Sequence, residues 1–175
     1  DTIIMGSNIS LSDTIDGGAG TDSVTGTIGV ATAQGFASIS NVENATFDFS
    51  AAGSFNAANT SMSVINITAG AGIAATVNNI ASSQRIDLED THLDGVTLDY
   101  AADATANIQT GVSTAITTDA LTVTDAQTVN ITTAGGADSA FDAVTLDATD
   151  TDFLTVTAGV AASGLTATGA FAADD

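Results

Sequence analysis

The chain has 175 residues, of which 21 are acidic and one, Arg85, is basic, and its formal net charge is −20. So few cations exclude nucleic acid and other polyanions as partners, because phosphate is gripped by Lys and Arg. Yet 44% of the residues are hydrophobic and the mean hydropathy is +0.32, which points to a buried core rather than a disordered polyanion.

A core and that charge coexist if cations neutralise the carboxylates, and calcium, a hard ion that takes oxygen ligands, is the expected one. No apolar run approaches the roughly 20 residues of a membrane span. No charged segment followed by an apolar one opens the chain, so no classical signal is expected. Asp1-Thr2-Ile3 recurs as Asp13-Thr14-Ile15, which reads as a window on a longer repetitive protein.

In chain order, residues 1–28 form a calcium-binding Gly/Asp turn region and 29–175 a solenoid body. Gly17-Gly18-Ala19-Gly20-Thr21-Asp22-Ser23-Val24 fits the nonapeptide G-G-x-G-x-D-x-U-x, a calcium turn. Its glycines reach positive φ and bare their carbonyls, its Asp supplies an anionic oxygen, and the apolar residue two places on turns inward. Asp13 and Ile15 precede Asp22 and Val24 by nine residues, a degenerate copy in phase. The expected ligands are therefore Gly18, Gly20 and Asp22, completed by Asp13 or a neighbouring turn. Turns of this kind with millimolar affinity fill only outside the cell, so an extracellular or cell-surface location is expected. Residues 29–40 suggest no element.

From Asn44 onward, apolar and polar residues alternate in short units, the period of a strand. Taking alternate units gives two sets. Ile65, Ile86, Ala106, Val129 and Leu154 open one, with Asn66, Asp87, Asn107, Asn130 and Thr155 facing outward. Ala75, Val96, Leu121, Val144 and Leu165 open the other, with Thr76, Thr97, Thr122, Thr145 and Thr166 outward. Units this short cannot bury their own apolar faces and must stack. The fold expected is all-β, a parallel β-solenoid or β-helix of about two strands and 21 residues per coil. Gly-containing turns at 69–72, 94–95, 135–136 and 158–159 separate strands, and 78–84 is the one helix candidate.

Asp90-x-His92-x-Asp94-Gly95 echoes the opening of a calcium loop without its closing acid, since Ala101 stands there. Asp90 and Asp94 are thus candidate ligands of a second cation. Asp147, Asp150 and Asp152 bracket a further turn, and solvated turns explain them equally well.

The nonapeptide, the phrase Ile39-Ser40-Asn41-Val42-Glu43-Asn44-Ala45 and the Thr/Ala-rich strands ending Ile67-Thr68-Ala69-Gly70 together resemble bacterial surface-layer and RTX-type proteins. That resemblance implies type I secretion, folding on meeting calcium, and β-solenoids that build lattices, adhesins or filaments. The chain departs from it in having one full calcium turn and one degenerate copy, so most of it would be calcium-poor solenoid. The function expected is an extracellular structural protein that joins copies of itself through solenoid ends or edges, with a cell-surface polysaccharide as a further candidate partner. An adhesin or ice-binding module, using the flat Thr face, is the alternative. No enzyme is expected. A polysaccharide lyase on such a scaffold needs clustered cations, and Arg85 stands alone.

Overall fold

Alternating side chains, Gly-marked corners and the absence of Pro dictate strands that lie one above another, and a computed structural model shows that arrangement. It describes residues 1–30, 33–89, 93–110, 116–133, 139–146 and 153–157. The elements in order are β1 (Thr2–Gly6), β2 (Thr14–Asp16), β3 (Ser23–Ile28), β4 (Ala33–Gly35), β5 (Ser38–Ser40), β6 (Asn44–Phe49) and β7 (Gly53–Asn56). They continue with β8 (Val64–Ala69), β9 (Ile73–Ile80), β10 (Arg85–Leu88), β11 (Leu93–Thr110), β12 (Ile116–Thr133), β13 (Ser139–Leu146) and β14 (Phe153–Thr157). Every named pairing is parallel. The molecule is an all-β parallel β-solenoid of about 6 turns and about 22 residues per turn.

One face stacks β1, β3, β6, β8, β10, the second half of β11, the second half of β12, and β14. Its inward column runs Ile3, Val24, Ala45, Ile65, Ile86, Ile108 and Ile131. The second face stacks β4, β7, β9, the first half of β11, the first half of β12, and β13. Within residues 1–28, β1 and β3 belong to the same sheet as β6, because β3 pairs β1 on one side and β6 on the other.

The Thr set is realised from Thr76 through Thr97 and Thr122 to Thr145, with Ser54 before it in the same outward column, while Leu165 and Thr166 lie outside the described residues. The other set needs one correction. Ile65 pairs Ile86 and Ala106 pairs Val129 as expected, but Ile86 pairs Ile108 and Asp87 faces Gln109. A slip of two residues keeps every side chain on its own face, so alternation alone cannot detect it.

Three other expectations are revised. Residues 78–84 form no helix: β9 runs to Ile80, Asn79 takes a left-handed φ of 57°, and Ala81–Gln84 is a turn closed by the Gln84 N–H on the Ala81 carbonyl at 2.9 Å. Asp94 and Gly95 lie inside β11 rather than in a turn. Residues 29–40, which suggested nothing, contain β4 and β5. The 69–72 turn stands, with Gly72 at φ 76°, while the 135–136 and 158–159 turns lie outside the described residues.

β2 and β5 pair with each other and, through a bridge from Ile39 to Thr60, build a short third face in the first coils. Gln84 ends it: buried, it donates from Nε2 to Thr60 Oγ1 at 2.8 Å and accepts the Ala81 N–H at 2.9 Å. Beyond it, β11 and β12 each bend from the second face onto the first. Asp103 and Asp125, at φ 61° and 60°, precede the paired Ala104 and Ala126 at that corner. Asp tolerates this left-handed geometry better than most side chains.

The core is thin and mostly aliphatic, with an aromatic cluster near the amino-terminal end and Tyr100 further along. Phe47 and Phe55 meet from opposite faces with ring centroids 4.2 Å apart, and Phe36 stands 5.8 Å from Phe55. Burial of each ring contributes about 1.5–3 kcal/mol. Above them Ile9, itself buried, folds over Gly26, where a Cβ would come within 2.3 Å of its Cδ1. The loop between β1 and β2 therefore closes the apolar end of the solenoid while leaving the β1 strand edge uncovered by any described strand.

Candidate metal centre

The nonapeptide forms the corner between β2 and β3. Gly18 and Gly20 hold φ of 84° and 128°, the left-handed values the motif requires. Gly17 serves another purpose. A Cβ there would lie 2.0 Å from the Asn41 carbonyl oxygen, so this glycine lets the first corner sit directly against the next coil's corner. Gly17 N–H donates to the Ser40 carbonyl at 3.0 Å across the same gap.

Asp22 follows, its side chain wholly buried. Its N–H donates to Glu43 Oε2 at 2.8 Å, and its carbonyl accepts the Glu43 and Asn44 N–H groups, each at 3.2 Å. Its Oδ1 lies 2.5 Å from the Asp1 main-chain nitrogen. Its Oδ2 is sealed from solvent and has no hydrogen-bond partner among the described residues. A buried carboxylate oxygen without a donor is costly unless a cation meets it.

Asp16 flanks the turn on the other side. It accepts the Asn41 Nδ2 amide at 2.8 Å and the Gly18 N–H at 3.0 Å, and these two bonds, the amide first, hold its carboxyl below the ordinary value of 3.8. The corner column repeats one backbone pattern: the carbonyls of Asp1, Asp22, Glu43 and Ser63 accept N–H groups from Ser23, Asn44, Val64 and Arg85. Three of those four positions are acidic, stacked at the coil spacing of about 4.8 Å.

Asp22, Gly18 and Gly20 are thus brought into one turn. Asp13 stands at the far end of β2, where its Oδ2 accepts the Ser10 N–H at 2.7 Å and its carbonyl accepts the Ala37 N–H at 2.9 Å. Asp94 is exposed in β11. Asp90 and His92, like Asp147, Asp150 and Asp152, lie outside the described residues. Among the described residues no three acidic or imidazole side chains converge on one point, so an ion here would draw on the Gly18 and Gly20 carbonyls as well as on Asp22 Oδ2. Those groups suit a hard, oxygen-seeking cation such as calcium.

Asp16, Asn41 and Glu43 were not singled out as site residues from sequence. The signal was present for Glu43, which follows Asp22 by 21 residues, one coil.

The fold and this corner define the class of the protein as a parallel β-solenoid with a Gly/Asp turn at one corner. Compared with known protein families, curated proteins and solved structures, the chain matches none of them. No helix long and apolar enough to cross a membrane occurs among the described residues.

Proposed function

We propose that this chain is a module of an extracellular structural protein that joins copies of itself into a surface layer or filament, in the manner of the surface-layer and RTX-type proteins it resembles. The supporting observation is the all-parallel strand stack, which a second solenoid can continue main chain to main chain. β1 pairs with β3, and Ile4 on it is 79% exposed. The chain holds no Lys and no Pro, the residues that commonly block pairing at a sheet edge. A second solenoid that lays a strand along β1 continues the parallel stack and gains main-chain hydrogen bonds.

Calcium supplies positive charge to a molecule of net charge −20, with Asp22 Oδ2 and the Gly18 and Gly20 carbonyls as the groups that would hold it. Acidic corners that repel one another without the ion come together with it, which ties folding and assembly to arrival outside the cell. Electron microscopy of the purified protein in calcium and in chelator tests this reading. Arrays or fibres in calcium, lost in chelator, are expected.

The Thr column on the second face favours a second reading, an adhesin or ice-binding module that uses a flat face. Isolated rods in calcium would move the balance to it. Thr is nonetheless a common occupant of exposed strands for its β-propensity alone.

A further inference from the structure

The first face carries a groove of about 330 Å³ that runs from β10 to β12, lined by Ser83, Arg85, Asn107, Gln109, Asn130 and Thr132. Its floor is the paired backbone of β10, β11 and β12, so the groove is held by the solenoid itself. We propose that this groove binds a neutral glycan, through sugar hydroxyls that meet its row of amides, hydroxyls and one guanidinium.

Arg85 is fixed in place. Its Nε and Nη2 donate to Asp87 Oδ1 and Oδ2 at 2.6 and 2.7 Å, and Asp87 is buried. Of the five N–H donors a guanidinium carries, three remain, and the group is pre-oriented along the strand. Asn130 Nδ2 donates to Asn107 Oδ1 at 3.1 Å, which orients both amides and leaves Asn107 Nδ2 to donate and Asn130 Oδ1 to accept. Among the described residues no side-chain hydrogen bond engages the Gln109 amide or the Thr132 hydroxyl. Donors and acceptors thus alternate along one open groove.

That mixture selects the ligand class. A carboxylate or phosphate only accepts, so it leaves the Asn130 and Gln109 oxygens unmet, and it approaches a protein of net charge −20 whose one guanidinium is already paired. A sugar hydroxyl both donates and accepts, and a neutral chain of them carries no charge to repel. Rungs about 4.8 Å apart place Asn107 and Asn130 at one position on successive coils, which suits a ligand that is itself a repeat. Neither this site nor self-assembly requires the other: the groove lies on a face, and the β1 edge lies at an end.

The test is a printed array of neutral and acidic glycans probed with the intact protein, wild type beside Asn107→Ala, Gln109→Ala and, on the opposite face, Thr97→Ala. Circular dichroism confirms that each variant is folded, and Gln109→Ala, which removes no hydrogen bond within the protein, is expected to be. The expected result is retention of neutral glycans by wild type and Thr97→Ala. Asn107→Ala and Gln109→Ala should each bind roughly threefold to tenfold more weakly, the loss of one hydrogen bond. Retention of acidic glycans alone, of none, or equal binding by all four proteins would overturn the proposal. Electron microscopy of the same samples reads assembly separately, so either idea can fail without the other.

Discussion

Asp22 and Glu43, one coil apart, are tied twice: the Asp22 N–H donates to Glu43 Oε2 at 2.8 Å, and the Glu43 N–H returns to the Asp22 carbonyl at 3.2 Å. The first bond orients the Glu43 carboxylate against the corner that carries the candidate metal ligand. Glu43→Ala removes the acceptor of a part-buried N–H and is expected to cost about 1–2 kcal/mol, read as a lower midpoint in urea. Glu43→Gln keeps an acceptor oxygen and should recover most of it. If both variants match wild type, the corner is not held by this pair.

The glycines of the turn separate into two kinds. Gly17→Ala drives a Cβ into the Asn41 carbonyl, and the coils must part. A loss of about 1–3 kcal/mol is expected, as for other overpacked positions, with or without calcium. Gly18 has open space around its Cβ position but a φ of 84°, so Gly18→Ala pays only backbone strain, about 1–2 kcal/mol. Gly18→Asn, which tolerates the left-handed region, should lose less. Thermal melts of the three variants check the order, and a harmless Gly17→Ala would refute the close approach.

Tyr100 is 2% exposed and its hydroxyl has no partner among the described residues. Burial pushes its pKa above the ordinary 10.0. The folded state therefore holds the phenolic proton after the unfolded chain has lost it. The stability involved is fully present below pH 10 and falls as pH rises past that value, by up to about 1.4 kcal/mol per pH unit. Tyr100→Phe removes an unpaired buried hydroxyl, so at neutral pH it should be neutral or stabilising by about 1 kcal/mol. Denaturant titrations at pH 8 and pH 11 are expected to show the alkaline loss shrinking in the variant. An equal loss in both proteins would show that Tyr100 does not carry it.

The strands were legible because a parallel solenoid repeats the same physical demand every coil. Ala75, Val96, Leu121 and Val144 each had to be apolar at one place, and the outward Thr that follows each of them exposed the column. The slip between Ile86 and Ile108 was not legible, since Ala106 and Ile108 satisfy the same inward demand and only the geometry of the Asp103 corner chooses between them. The short third face was hidden too: β2 and β5 are three residues long, below the length at which alternation differs from chance. At the turn, the spacing of Gly18, Gly20 and Asp22 carried the motif. The partners Asp16, Asn41 and Glu43 are supplied by neighbouring strands and coils, and a local pattern does not show them.

The central claim is that the β1 edge joins one solenoid to the next in calcium. Sedimentation velocity over a range of protein concentrations tests it, comparing wild type with Ile4→Lys, a substitution at a side chain 79% exposed that places a charge on the edge. The account predicts concentration-dependent growth for wild type in calcium, none in chelator, and a monomer for Ile4→Lys with an unchanged dichroism spectrum. A wild-type monomer at every concentration, or assembly that Ile4→Lys leaves untouched, would contradict it.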